Sequence, residues 1–141
     1  DISKAKDSLL KFMGDMKKWE EHYFQLFKFE NGGPEKNGKS ALDDLVQIYD
    51  KYLTKKDRKT GRMAGPHAGY PAEYDPNQEV IELEEVVNKN KIVFVATWTH
   101  PALLDCTEKR RYTMVRVREE WLLDKRESFS RYRKKWVNSV L

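Results

Sequence analysis

The sequence predicts one α+β domain in which N-terminal helices cover one face of an antiparallel sheet. In residues 2–53 apolar side chains recur at intervals of three and four, which is typical of helices with one buried face. In residues 79–129 apolar and polar side chains alternate, which is typical of strands. Helices followed by consecutive strands indicate the α+β class, and 141 residues suit one domain with its own core.

The first predicted helix spans residues 2–29. Gly33 and Pro34 are expected to stop it, since glycine and proline are typical of helix ends. The segment 30–39 (ENGGPEKNGK) is then expected to be a surface loop. The predicted buried stripe of this helix consists of Ile2, Ala5, Leu9, Phe12, Met13, Met16, Trp19, Tyr23, Leu26 and Phe27.

A second helix is predicted to begin at Ser40. Ser40 followed by Asp43 approximates a capping box, in which the two side chains satisfy backbone N–H groups at a helix start. Its predicted stripe consists of Leu42, Leu45, Val46, Tyr49, Tyr52 and Leu53.

Residues 54–78 show little apolar periodicity and contain six glycines and prolines. A loop of this length is usually functional or disordered. The aromatic rings of Tyr70 and Tyr74 indicate that part of it packs against the domain.

Four strands are predicted after this loop, and the tail 130–141 is left unassigned. Ile81 and Leu83 are expected on one side of the first strand and most of its glutamates on the other. Trp98 and Trp121 are predicted to be core residues, although exposed tryptophans at these positions would be interaction hot spots. The predicted strands are 79–87, 91–100, 110–118 and 121–129, with turns at 88–90 and 119–120.

Composition excludes several classes of protein. The chain has no run of about 18 apolar residues, so no membrane-spanning helix is predicted. The N-terminus lacks the apolar core of a signal peptide. Cys106 is the single cysteine, which rules out an internal disulfide or a cysteine zinc cluster and fits a reducing compartment.

The net charge is +4, but the charges are unevenly distributed. Residues 54–67 carry five basic side chains against one acidic, and residues 109–141 carry 11 against four. Residues 79–87 carry four glutamates. The basic segments could meet an acidic partner, although a solvated mixed surface is the simpler interpretation.

Catalytic motifs are weak in this sequence. The three histidines are scattered, and neither a metal-ligand spacing nor a nucleophile signature is present. General acid–base catalysis in a pocket has five candidates, each more simply explained as structural: His22, Tyr23, Tyr49, Asp50 and His100. Nucleic-acid binding by the basic loop and by tail residues 131–136 is a further alternative, against which the acidic strand counts.

Three strings carry a resemblance to a known family. They are FMGDMKKWEEHYFQLF (12–27), IYDKYLTKKDRKTGR…YPAEYDP (48–76) and RYTMVRVREEWLLDKRESF (111–129). With the order of elements, they make nearly the whole chain resemble the NTF2-fold immunity proteins of bacterial polymorphic toxin systems. The second string is the most specific, whereas the third supports only the NTF2-like fold.

The resemblance implies a single NTF2-like immunity domain over residues 1–141, a cone of helices on a curved antiparallel sheet. It implies a non-catalytic, cytoplasmic antidote that binds a cognate toxin domain, as a monomer or homodimer, without cofactor, metal, nucleic acid or membrane. Antidotes to nucleases are often acidic, so the basic pI near 9.0 disfavours simple mimicry of nucleic acid.

Three segments are the candidate toxin-binding residues, chosen for charge, aromaticity and loop length. The alternative function is an NTF2-like isomerase or dehydratase that uses the cone interior, and the many bulky core candidates favour a filled cone instead. The candidates are Arg58, Arg62, Tyr70, Tyr74 and Asp75 in the loop, then Glu79, Glu82 and Glu84, then Arg131, Tyr132 and Arg133.

Overall fold

The computed structural model describes residues 1–56, 58, 63, 65–139 and 141. Within them, two long helices precede five strands, which confirms the α+β class and the order of elements. A short 3₁₀ helix, Phe29–Asn31, joins the two helices. The elements are α1 (Ile2–Leu26), α2 (Gly33–Tyr52), β1 (Glu79–Asn88), β2 (Lys91–Thr99), β3 (Thr107–Val117), β4 (Glu120–Ser130) and β5 (Lys135–Ser139).

Helix α1 follows its predicted apolar stripe. The Asp1 carboxylate caps its start by accepting the Ser3 backbone N–H at 3.0 Å. The helix ends three residues earlier than predicted. Its buried side chains include Ala5, Leu9, Phe12, Met13, Met16, Trp19 and Tyr23.

The predicted loop 30–39 and the helix start at Ser40 are wrong, because α2 begins at Gly33 with Pro34 in its first turn. Proline lacks the N–H that would be unpaired there, so Gly-Pro marks the start of α2 instead of a stop. Asn37 then braces the corner, since its Nδ2 donates to the carbonyls of Leu26 and Gly33 at 2.8 and 3.1 Å.

Two glycines in this region should respond oppositely to alanine. Gly32 has φ +104°, and an added Cβ would lie 2.9 Å from the Lys36 Cβ, so Gly32→Ala should lower the free energy of unfolding by about 1–2 kcal/mol. Gly38 lies inside α2 with nothing within 4 Å of the new Cβ, so Gly38→Ala should raise it by up to about 1 kcal/mol. Urea denaturation measures both changes, and changes of equal sign would contradict this account.

The strands form one antiparallel meander in the order β1-β2-β3-β4-β5. The β3–β4 turn is centred on Arg118 and Glu119, both with positive φ, one residue before the predicted turn. The unassigned tail supplies β5, which pairs with the end of β4 and places Trp136 opposite Phe129.

A β-bulge in β1 corrects the predicted sides of this strand. The register shifts between Ile81 and Leu83, so Ile81 pairs with Ala96 whereas Leu83 pairs with Val95. The extra residue reverses the alternation. Ile81 therefore faces the helices, and Leu83 faces away from them.

Both helices pack on one face of the sheet, here called the inner face. Alternate side chains of β2–β4 meet the stripes of α1 and α2 there. Trp98 and Trp121 are both buried, as predicted. The inner-face core residues of the sheet are Ile92, Phe94, Ala96, Tyr112, Met114, Trp121 and Leu123.

The long connection between α2 and β1 contains no helix or strand in the parts that the structure describes, as predicted. Its second half is attached to α1, because the buried Glu20 carboxylate accepts the backbone N–H groups of Gly69 and Glu73 at 3.2 and 2.6 Å. Tyr74 is buried, which confirms that part of the loop packs.

Candidate functional site

The face of the sheet that points away from the helices is here called the outer face. The strand register shows which residues share this face. One row of paired residues crosses all five strands on it: Leu83, Val95, Arg111, Glu127 and Asn138. No helix of the described residues packs on this face, as the core forms on the other one. The outer face is therefore a solvent-facing platform with mixed apolar and charged side chains.

A groove of about 600 Å³ lies at the end of this platform where β2, β3, β4 and β5 meet. Aromatic and cationic side chains line it together with two threonines. The lining residues are Thr97, Thr107, Glu108, Lys109, Phe129, Arg131 and Trp136.

The groove is bordered by a preorganised aromatic and guanidinium cluster. The rings of Phe129 and Trp136 meet edge to face at 5.5 Å, and the Arg111 guanidinium lies 4.6 Å from the Trp136 ring. Arg111 is held by two hydrogen bonds to Glu127 at 2.9 and 2.8 Å, which lower the pKa of that carboxyl. Because their rotamers are already restricted, these side chains lose little conformational freedom when a partner binds.

The groove brings together two of the three candidate segments. Glu82 accepts a hydrogen bond from the Thr97 hydroxyl, and Thr97 lines the groove. Arg131 lines it from the end of β4, where its Nη2 donates to the Thr107 Oγ1 at 3.3 Å. Tyr132 and Arg133 continue into the exposed β4–β5 turn.

The loop candidates lie elsewhere. The Arg58 guanidinium donates to the Thr54 and Asp124 carbonyls at 2.5 and 3.3 Å. Tyr70 is 75% exposed, with its ring 6.2 Å from that of Phe24 on α1.

Asp75 also faces α1, where its carboxylate pairs with Lys17 at 3.3 Å. Arg62 lies outside the described residues. The loop and the groove therefore form no single patch.

Three of the candidate side chains do not lie on the outer face. Tyr74 and Glu79 are 2% and 4% exposed, so a partner docking on this surface cannot reach their side chains. Glu84 faces the helices and pairs with Lys6 at 3.1 Å. An aromatic loop and an acidic strand do not reveal which side chains are buried, as Tyr74 and Glu79 are, or turned toward the helices, as Glu84 is.

Glu79 belongs to a cluster of polar side chains in the interior, which supplies partners for its buried carboxylate. Arg110 Nη1 lies 3.0 Å from the Glu79 carboxylate, and the Tyr112 hydroxyl donates to it at 2.5 Å. Arg126 pairs with Glu73 at 2.8 Å, and its guanidinium lies 5.1 Å from the Tyr74 ring. This cluster attaches the loop to the inner face and fills the end of the cone.

The acid–base candidates have structural roles or lie on the surface. The Tyr23 hydroxyl donates to Asp44 at 2.5 Å, and burial, followed by this hydrogen bond, raises the pKa of Tyr23 to about 12. Tyr23 therefore keeps its proton at neutral pH. His100 Nδ1 accepts the backbone N–H groups of Ala102 and Leu103 at 3.0 Å each, and His22 is exposed.

Tyr49 lies in the core cluster and Asp50 pairs with Lys55 at 3.5 Å. Cys106 is a free, exposed thiol. Among the described residues, no cluster of three or more metal-ligating side chains occurs, and no helix is long and apolar enough to span a membrane.

Phe129, Lys109 and Arg111 are groove or border residues that the site prediction missed. Alternation in β3 places Lys109 and Arg111 on one side, but it does not reveal which side lacks helices. Trp136 lies in the tail segment considered for nucleic-acid binding, and it was not among the toxin-binding candidates.

Comparisons with known proteins bear on the fold and the family of this chain. Residues 4–139 match the family model described as NTF2 fold immunity protein. The chain is also 40% identical over 137 residues to immunity protein RhsIA of Dickeya dadantii (strain 3937), covering 97% of this chain and 96% of that protein. No solved structure matches the chain significantly.

Proposed function

The chain belongs to the NTF2 fold immunity protein family, and from this membership we propose that it neutralises a cognate toxin domain by binding it on the outer face of the sheet. Family membership supports the immunity role, and a non-enzymatic action by binding is part of the proposal. The toxin and the surface that receives it are the parts proposed here. We place the action in the cytoplasm of the cell that must be protected.

The uncovered outer face, with its aromatic and arginine cluster, is the observation that carries this proposal. Tryptophan, tyrosine and arginine dominate binding hot spots. Four strand spacings by nine residues give a platform of about 20 by 30 Å. That size suits the roughly 800 Å² that each partner contributes to a standard interface.

The filled inner face of the sheet favours a binding function over a catalytic one. Phe12, Met13, Met16, Phe94 and Met114 fill the cone and are at most 1% exposed. Phe24 and Phe27, by contrast, are only half-buried. The buried Glu79–Arg110 pair closes the end of the cone against the loop. We therefore favour inhibition by an outer surface that covers the toxin's active site or holds the toxin in an inactive shape.

Trp136→Ala is expected to weaken toxin binding by about 2 kcal/mol or more, a roughly 30-fold rise in Kd. The indole ring organises both Phe129 and Arg111, so its loss disperses the cluster. The measurement is isothermal titration against the toxin domain encoded beside the gene, together with growth rescue on co-expression.

Phe29→Ala is the matched control, because Phe29 is 97% exposed on the helix side of the molecule. It should leave Kd within about twofold. Equal binding by wild type and the Trp136 variant would exclude the groove as the interface. A lethal toxin that wild type neither binds nor suppresses would exclude the proposed pairing.

A further inference from the structure

The outer face carries opposite charges on different strands. Glu82 and Glu85, here called the acidic edge, lie on β1, the edge strand. Lys109 on β3 and Arg131 directly after β4, here called the basic side, line the groove. The face is therefore polarised across the strands, which the overall charge of +4 does not reveal.

These four charges are not neutralised by each other or by neighbours. Among the described residues, none of the four forms an ion pair, whereas Arg111 and Lys125 both pair with Glu127. Glu108 also borders the groove, but its carboxylate accepts from Arg110 Nε and the Ser128 hydroxyl at 3.0 and 2.9 Å. The acidic edge and the basic side remain available to a partner.

Distance keeps the two groups electrostatically separate. They lie two or three strand positions apart, about 10–14 Å. The Debye length at physiological ionic strength is about 8 Å, so each group interacts mainly with the part of the partner directly above it. A partner of uniform charge would gain attraction at one group and meet repulsion at the other.

Apolar side chains lie between the two groups and beside the acidic edge. Val93 and Val95 of β2 face outward there, each half-buried. On β1, Val80 and Leu83 are each 65% exposed. Apolar surface between two charged margins is typical of an interface with a dry centre and a polar rim.

We infer that the outer face receives a toxin surface polarised in the opposite sense, with basic side chains above β1 and carboxylates above the β3–β4 groove. This inference rests on the proposed function. It gives the complex one orientation, because turning the toxin by half a turn on the platform would oppose like charges at both groups. Like-charge contacts of this kind exclude wrong partners and wrong orientations.

The test compares charge reversals with variants of the same net charge. The edge variant is Glu82→Lys/Glu85→Lys, with Glu21→Lys/Glu35→Lys on the exposed helix surface as its control. The groove variant is Lys109→Glu/Arg131→Glu, with Lys4→Glu/Lys36→Glu as its control. The probe is the toxin domain encoded beside the gene, and stopped-flow measurement gives the association rate at low and high salt.

Both the edge and the groove variants should slow association at least about tenfold at low salt, and both controls should stay within about threefold. High salt should shrink these differences. Circular dichroism and unfolding curves confirm that each variant is folded.

The unexpected results of this test distinguish a failure of the proposed function from a failure of the polarised contact. Wild type that does not bind the toxin overturns the proposed function. Wild type that binds while both reversals associate normally overturns only the polarised contact. If the groove variant associates more slowly than wild type and the edge variant more quickly, the partner is uniformly acidic, as nucleic acid is. This result also overturns the polarised contact. Sedimentation tests a further possibility. If wild type is a dimer and either charge reversal dissociates it, the outer face binds a second copy of this chain, and the polarised contact with a toxin is overturned.

Discussion

Arg110→Met is expected to lower the free energy of unfolding by about 3–5 kcal/mol. The Arg110 and Glu79 side chains are 3% and 0% exposed, and they meet at 3.0 Å. Removing the guanidinium leaves a carboxylate in the interior with the Tyr112 hydroxyl as its hydrogen-bond partner and Arg126 as the remaining nearby positive charge. It also removes the hydrogen bond from Arg110 to the Glu73 carbonyl, which holds the loop at 2.6 Å.

The loss should depend on pH. Burial raises the pKa of the Glu79 carboxyl, and Arg110 is the largest influence opposing that rise. A carboxyl with a higher pKa in the folded state binds more protons there, so its stabilising contribution is present below the unfolded pKa and is lost as pH rises through the folded pKa. Without Arg110 the pKa of Glu79 rises further. The deficit relative to wild type should therefore be smaller at about pH 4.5 than at about pH 7.5.

Urea unfolding at both pH values measures this effect. Arg116→Met is the matched control, because Arg116 lies on the same strand but is exposed. It should change stability by less than about 0.5 kcal/mol. The double variant Glu79→Gln/Arg110→Met removes the stranded charge and should recover at least about 1 kcal/mol. Equal losses in the Arg110 and Arg116 variants would refute the role assigned to the buried pair.

Tyr74→Ala is expected to lower the free energy of unfolding by about 3–5 kcal/mol, as for other buried aromatic truncations. The Tyr74 ring meets Phe12 of α1 edge to face at 5.1 Å. The guanidinium groups of Arg110 and Arg126 lie 5.9 and 5.1 Å from the same ring. The substitution therefore opens a cavity and removes a buried contact that holds the loop against α1.

Tyr70→Ala provides the contrast, because Tyr70 lies in the same loop but is 75% exposed. Its loss should cost less than about 0.5 kcal/mol. Thermal unfolding measures both variants, and limited proteolysis should cut the loop 54–78 faster in the Tyr74 variant alone. Similar stability and similar cleavage in both variants would show that Tyr74 does not anchor the loop.

Elements with strong periodicity were predictable from the sequence. Helix α1 and strands β2–β4 occur where long apolar patterns indicate them, because one face of each is buried. The start of α2 was missed because Gly33-Pro34 suits both the end of one helix and the first turn of the next. Strand β5 was missed because five residues carry little pattern, and pairing with β4 decides their conformation.

The candidate site was predicted only in part. Glu82 and Arg131 were chosen for charge; Arg131 lines the groove, and Glu82 is hydrogen-bonded to Thr97, which also lines it. Glu79 was chosen for the same reason and is buried, because Arg110, 31 positions away, supplies its counter-charge. Charge alone does not distinguish these cases, since it says nothing of what lies opposite the side chain.

The sequence by itself determined the class, the order of elements and the family of this protein, because local periodicity and matching strings are properties of neighbouring residues. Only the tertiary structure decided which side of the sheet the helices leave open. Val93 and Val95 are as apolar as Phe94 and Ala96, so alternation in β2 suits either side. The pairing of β3, β4 and β5 joins residues far apart in the chain and so gathers Arg111, Phe129 and Trp136 on the open face. The bulge in β1 likewise turns Ile81 toward the helices and Leu83 away from them.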